Sequence, residues 1–208
     1  MLIAGCAPAD AAALDDPNVP ASATFCSDFS TPNQYDYTPF FMNSQLGPMK
    51  AVQFTVRASN DAHVAFFDHD LNDAAWTGNG HEHYEIAISG WGNTQSVIRE
   101  SAQGTNVAVA DTTGFLSPSE DRPFWASALN GLVRLGTGSV VGHNVILEWQ
   151  DPDPINPQYA AVSTGWGSTG TWHICVVEGD VPPGTSAVDF HHSQGGDVRP
   201  SIVNGDFE

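Results

Sequence analysis

From residue 51 onward the chain is written in short runs that alternate apolar and polar residues, and turn-forming residues cut each run short. In VQFTVRA (52–58), Val52, Phe54, Val56 and Ala58 point one way while Gln53, Thr55 and Arg57 point the other. YEIAIS (84–89) repeats the pattern with Tyr84, Ile86 and Ile88. Further strand candidates are AHVAFF (62–67), SVIRE (96–100), NVAVA (106–110), PFWASA (123–128), LVRL (132–135), NVILEW (144–149), YAAVS (159–163) and TWHICVV (171–177). GNG, QGT, NG, GTG and DPDP separate them as turn signals. No segment carries a helical stripe. The pattern predicts an all-β, antiparallel β-sandwich with little or no helix.

With 208 residues the chain can bury one good core and still carry linkers. Its 24 acidic residues face six basic ones, a net charge of −18. That balance argues against binding nucleic acid or an anionic membrane, because phosphate binding needs clustered Lys and Arg. It suits a solvated extracellular surface. No segment is long enough to span a bilayer as a helix.

Residues 1–22 read as a disordered Ala-, Pro- and Asp-rich tether. It contains LIAGC, which resembles a bacterial lipobox without the basic and apolar segments that normally precede one. That resemblance implies a lipid anchor at Cys6, the one route to a membrane, and an extracellular or cell-surface bacterial lipoprotein. One domain is expected over residues 23–178. Residues 179–200 then read as a linker, and 201–208 end on SIVNGDFE. This ending resembles the first strand of jelly-roll carbohydrate-binding modules. Together the two ends suggest a piece of a longer protein.

Cys26 lies just before the folded region and Cys175 in its last strong apolar run. The two are expected to pair, tying the first strand to the last in an oxidising compartment; two buried thiols are the alternative.

FTVRASNDAHVAFF, HYEIAISGWGNTQSVIRE, RPFWASALNGLVRLGTG, ILEWQDPDPI and VSTGWGSTGTWHICV follow one another between about Val52 and Val176. In this order they resemble the farnesoic acid O-methyltransferase domain. The resemblance implies a jelly-roll or lectin-like sandwich that recurs beside other binding modules in secreted proteins. The family name further implies methyl transfer from S-adenosylmethionine to a terpenoid acid such as farnesoic acid. Such chemistry usually uses a Gly-rich turn between a strand and a helix. The nearest candidate, GTGSVVG (136–142), runs from LVRL into NVILEW, another strand, so it reads as hairpin chemistry.

Two stretches place tryptophan in a flexible frame: SGWGNT (89–94) and STGWGSTGTW (163–172). Either ring can be a lid on the core or a platform for the apolar C–H face of a sugar. With Asn93 and the rigid acidic turn at Asp151 and Asp153, Trp91 and Trp166 form the candidate ligand-binding set. Trp125, Trp149 and Trp172 lie in strand runs and are expected in the core, whereas Trp76, in a loop, is expected to be exposed. His81 and His83 would share one strand face and could chelate a metal, with Asp68, His69 or Asp70 nearby in sequence; Asp151 and Asp153 offer a second weak metal set. Plain surface residues are the alternative for both.

Carboxylate pairs such as Glu82 with Glu85 are always available in an acidic chain, and no G-x-S-x-G elbow appears, so no catalytic residue is assigned. Arg99, Arg122 and Arg134 stand out because cations are scarce; Arg122 is expected to pair locally with Glu120 or Asp121. The reading is a non-catalytic extracellular module for a glycan or other extracellular ligand. It needs no cofactor, and the Asp pair would admit calcium. The alternatives are the methyltransferase, which would need S-adenosylmethionine, and a structural self-association module. The oligomeric state is not set by the sequence.

Overall fold

The computed structural model describes residues 23–37, 46–47, 50–71 and 83–177. The tether with Cys6, Trp76, His81 and everything after Val177 lie outside them. The described residues form eleven strands: β1 (Ala23–Thr31), β2 (Ala51–Arg57), β3 (Ala62–Phe67), β4 (His83–Ser89), β5 (Gln95–Arg99), β6 (Asn106–Asp111), β7 (Arg122–Leu129), β8 (Leu132–Thr137), β9 (Val145–Gln150), β10 (Tyr159–Thr164) and β11 (Gly170–Val177). They build two sheets, ordered β1-β11-β2-β7-β8-β9 and β10-β3-β4-β5-β6, and every neighbouring pair is antiparallel. A four-residue turn, α1 (Gly90–Asn93), links β4 to β5. The fold is the all-β antiparallel sandwich that the alternation predicts.

The period of two does the sorting. Val52, Phe54 and Val56 of β2 enter the same core as Val64 and Phe66 of β3 and Tyr84, Ile86 and Ile88 of β4. Phe54 stacks on Phe124 and meets Trp172, which is fully buried between the sheets. Removing side chains of this size from water is the main stabilising term, roughly 25 cal/mol per Å² of apolar area.

The alternation does not announce a second buried surface. On the outer face of the five-stranded sheet, His63, Ala65, Phe67, His83, Glu85, Ala87, Val97, Ala161 and Ser163 are buried too. Tyr37 and Leu71 are packed there with Ala65, Phe67 and Ala161, and Tyr35 and Tyr159 lie against them. β3 and β4 are therefore buried along their whole length. A sheet covered on both faces needs its polar groups paired within the protein.

β1 is the strand that the alternation missed. Its Ser27, Phe29 and Thr31 share one face, and of these only Phe29 packs on the core as a large apolar side chain. The strand holds its place by pairing with β11, where Cys26 stands opposite Cys175 and the two form a disulfide. The expected link between first and last strands is present. In the loop-entropy account, closing a separation of 149 residues stabilises by roughly 4–5 kcal/mol. Thr31 then receives hydrogen bonds from Thr164 Oγ1 at 2.7 Å and from Trp172 Nε1 at 2.9 Å, fixing where the chain crosses from one sheet to the other.

GTGSVVG joins β8 to β9 within one antiparallel hairpin. Trp125 lies beneath this connection on the outer face of the six-stranded sheet, fully buried with Ala51, Val141 and Val177, and donates to the His143 carbonyl at 2.7 Å. So Trp125 is buried, but in a satellite cluster instead of the central core. Trp149 is half-buried against the core. Gly136 faces Trp125 across the strands, and a Cβ there would come within 2.3–2.5 Å of the indole. Gly136→Ala is therefore expected to destabilise the fold by about 1–3 kcal/mol through overpacking, measured as a shift in the urea unfolding midpoint. A neutral substitution would mean that the indole does not lie on the strand.

Candidate functional site

The two Trp-Gly turns share one backbone device. In the first, Ser89, Trp91, Gly92 and Asn93 all have positive φ (47°, 51°, 74° and 67°), and Thr94 N–H donates to the Gly90 carbonyl. In the second, Trp166 and Gly167 have φ of 50° and 96°, and Ser168 N–H donates to the Gly165 carbonyl at 2.9 Å. Positive φ at both central residues of a tight turn suits glycine and strains a bulky L-residue by roughly 1–2 kcal/mol. Such strain persists only where surrounding bonds over-determine the conformation.

Those bonds are present. Asn93 clamps Leu116, accepting from its N–H at 3.1 Å and donating to its carbonyl at 2.9 Å. The Ser89 hydroxyl donates to the Thr112 carbonyl at 3.0 Å, and Ser96 Oγ accepts from Ser89 N–H. In the second turn, Ser168 Oγ accepts from Ser59 N–H, Asn60 Nδ2 donates to the Trp166 carbonyl, and Gly167 N–H donates to Asn33 Oδ1. Asp61 N–H donates to the Ser89 carbonyl, so the β2–β3 connection bridges both turns. Held this way, Trp91 and Trp166 are 52% and 54% exposed, which decides against the lid reading for both.

Both rings line one cleft of about 430 Å³ on the outer face of the five-stranded sheet. His63 and Ala87, cross-strand neighbours on β3 and β4, lie at its base, and Asn60, Asp61 and Gln103 add polar groups. The Arg99 guanidinium sits 5.6 Å from the Trp91 ring centroid, in range of a cation–π contact. Trp166 packs on Tyr35 at 5.1 Å and on His63 at 5.4 Å between centroids.

Glu85 ties the two walls together from below. This fully buried carboxylate accepts from the hydroxyls of Tyr35 and Tyr37 on Oε1, the latter at 2.9 Å. On Oε2 it accepts from Arg99 Nη1 at 2.8 Å and from Gln103 N–H at 3.1 Å. Four donors match the roughly four lone-pair positions of a carboxylate. His63 Nδ1 stands 3.6 Å from Oε1, near enough to interact electrostatically but too far for a good hydrogen bond. Burial alone would raise the Glu85 pKa; the nearby His63 and the donors Tyr35 and Arg99 outweigh it and hold the carboxyl far below the usual range. Burial and the Glu85 charge push the Tyr35 and Tyr37 hydroxyls upward. Glu85 is thus an ionised structural anchor with its lone pairs occupied.

Trp91 and Trp166 come together as the candidate set requires, whereas Asn93, Asp151 and Asp153 do not line their cleft. Asn93 has its amide on Leu116. Asp151 is buried, accepting from the Tyr84 hydroxyl at 2.6 Å and from Asp153 N–H at 2.8 Å, which closes the DPDP turn. His83 stacks on Phe67 at 4.8 Å and lines a separate cavity with Glu100, Asp151 and Asp153. Arg122 pairs with Glu120 at 2.7 Å, as expected. Sequence reasoning did not find Tyr35, Asn60, Asp61, His63 or Gln103. The scarcity of cations had marked Arg99, the one available signal.

Residues 31–177 match the profile of the farnesoic acid O-methyl transferase family, and the chain belongs to that family. A BTB/POZ domain-containing protein of Arabidopsis thaliana is 29% identical over 122 residues; the match covers 54% of this chain but only 14% of the relative. Among solved structures, a Bacillus subtilis protein of unknown function with a galectin-like fold superposes with a TM-score of 0.51 at 12% identity, over 65% of this chain and 76% of that one. A prokaryotic β-1,3-1,4-glucanase from a mouse hindgut metagenome gives 0.45 at 9% identity, over 72% and 79%. The superposition on the Bacillus subtilis protein makes the sandwich galectin-like in fold.

Replacing Glu85 by Gln presents an amide N–H₂ to existing donors and leaves Arg99, 11% exposed, without its counter-ion. Breaking a buried pair in this way is expected to cost about 3–5 kcal/mol. Because the folded-state pKa of Glu85 is lowered, its contribution is fully present above the unfolded value of about 4.3 and is lost as pH falls below it. Urea midpoints across acid pH should fall less steeply in Glu85→Gln than in the wild type. Equal stability and equal slope would remove Glu85 from the role of anchor.

Proposed function

We propose that this domain is a non-catalytic binding module of a secreted or surface-anchored protein, and that the cleft between Trp91 and Trp166 holds a carbohydrate. The observation that carries the reading is the pair of half-exposed tryptophans on strained, heavily braced turns that line the same polar cleft. A protein that exposes two of its largest apolar side chains at a conformational cost must recover that cost elsewhere, and ligand clamps are where such outliers gather. Sugars fit the chemistry: their C–H faces stack on indole, and their hydroxyls can donate to the Asp61 carboxylate and exchange hydrogen bonds with amides such as Asn60 and Gln103. Glu85 neutralises Arg99, so the cleft favours a neutral glycan over a polyanion. The lipobox-like LIAGC and the Cys26–Cys175 disulfide support an extracellular location.

The second reading is the methyl transfer for which the family is named. Among the described residues the glycine turns after β4 and β8 run into β5 and β9, and α1 is a single four-residue turn, so neither presents the strand–turn–helix element such enzymes use for S-adenosylmethionine. The family name alone keeps this reading in the test.

Intrinsic tryptophan fluorescence, titrated with a panel of neutral oligosaccharides, decides between them. A saturable change is expected with at least one glycan. Trp91→Ala and Trp166→Ala should each weaken it about tenfold or more, a loss of roughly 1.4 kcal/mol, with an unchanged circular dichroism spectrum. Chelating calcium should leave the affinity unchanged, because Asp151 and Asp153 lie outside the cleft. Silence toward every glycan, with a saturable response to S-adenosylmethionine or farnesoic acid, would replace this reading by the enzymatic one.

A further inference from the structure

On the opposite side of the sandwich, four side chains meet across β1 and β11. Cys26 pairs with Cys175 and Asp28 with His173, two residues further along each strand, so all four share the outer face of the six-stranded sheet. His173 Nδ1 lies 2.8 Å from Asp28 Oδ1, and His173 Nε2 lies 3.6 Å from Cys175 Sγ. The two sulfurs and a His173 ring nitrogen all fall within 4.8 Å of one another, the one such group of three potential ligands among the described residues. Cys26 and His173 are exposed and Cys175 is buried.

We infer that this is a redox-gated metal site: once a dithiol has reduced the Cys26–Cys175 disulfide, Cys26 Sγ, Cys175 Sγ and His173 Nε2 bind one Zn²⁺. The metric fits. A tetrahedral ion with Zn–S near 2.3 Å and Zn–N near 2.0 Å sets its ligands roughly 3.5–3.8 Å apart along the edges, and Nε2 already stands 3.6 Å from Cys175 Sγ. The orientation fits as well. With Nδ1–H donating to Asp28, the Nε2 lone pair faces the sulfur, the carboxylate–histidine arrangement that orients metal-bound imidazoles. Three protein ligands on an exposed face leave the fourth position to water.

The chemistry balances. A thiolate of the dithiol attacks the exposed Cys26 Sγ; the Cys26–Cys175 bond breaks, and its electron pair leaves on Cys175 Sγ beside His173. The second thiol of the reductant then displaces Cys26, so the dithiol is oxidised to a disulfide while the protein gains two electrons and two protons. Zn²⁺ binding releases those two protons as the thiols become thiolates. The oxidised protein has no thiolate to offer and binds no metal here. This proposal is independent of the glycan reading, since the cleft lies on the other sheet.

The test uses the full chain with Cys6→Ser, which removes the third thiol, and a phosphine reductant that does not compete for metal. The reduced protein is expected to bind one equivalent of Co²⁺ with the thiolate charge-transfer band and intense d–d absorption of a tetrahedral site, and Zn²⁺ should displace it. The oxidised protein should show neither. Asp28→Asn should weaken Zn²⁺ binding by about 10–100-fold. His173→Gln, at an exposed position, should weaken it more while keeping the fold. Three outcomes would overturn the proposal: a weak octahedral cobalt spectrum, His173→Gln binding as tightly as the parent, or a reduced protein whose strand circular dichroism is lost and not restored by zinc.

Discussion

Glu85 is the interaction on which the rest of the site depends. A lone carboxylate on the inner strands of a sheet covered on both faces costs several kcal/mol unless its charge is balanced and its lone pairs are filled. Here the compensation comes from four donors in three places along the chain: Tyr35 and Tyr37 after β1, Arg99 at the end of β5, and the Gln103 backbone in the following loop. Each of these groups, once fixed, fixes something else. Tyr35 supports Trp166 and Arg99 supports Trp91, so the two walls of the cleft are set by one anion beneath them.

The architecture was legible in the sequence because it rests on local period and turn chemistry. β2 through β11 each show the alternation or the continuous apolar run of a buried strand, and GTGSVVG declared itself as a hairpin by running into another strand. β1 hid because pairing and a disulfide hold it, and among its described residues Phe29 alone is a large apolar side chain on the core. The second buried face hid for the opposite reason. His63, His83 and Glu85 are polar residues at positions that an alternating strand assigns to solvent, and nothing local says that Tyr35 and Tyr37, about 50 residues before Glu85, will cap its carboxylate.

The candidate site was half legible for a related reason. A tryptophan in a glycine frame is ambiguous between lid and platform until the backbone conformation is known. The left-handed φ at Trp91 and Trp166 and the bracing around them turn both rings outward, which excludes the lid. Asn93 and Asp151 show the converse. Their side chains have the right chemistry for a ligand but satisfy the protein's own backbone and tyrosine groups, the commoner fate of polar side chains near turns.

The two outer faces of the sandwich are joined by β1. On one side it carries Cys26 and Asp28 against β11. At Thr31, bonded to Thr164 and Trp172, the chain leaves the six-stranded sheet and delivers Asn33 and Tyr35 to the cleft on the other. Tyr35 is then held against Glu85 by its packing on His63 and Trp166 and by the bond from the neighbouring Asp36 N–H to Ser163 Oγ. The disulfide is one of several ties on this strand, beside Phe29 on the core, Asp28 on His173 and Thr31 on Thr164 and Trp172, so the cleft on the far face does not hang on the covalent bond alone.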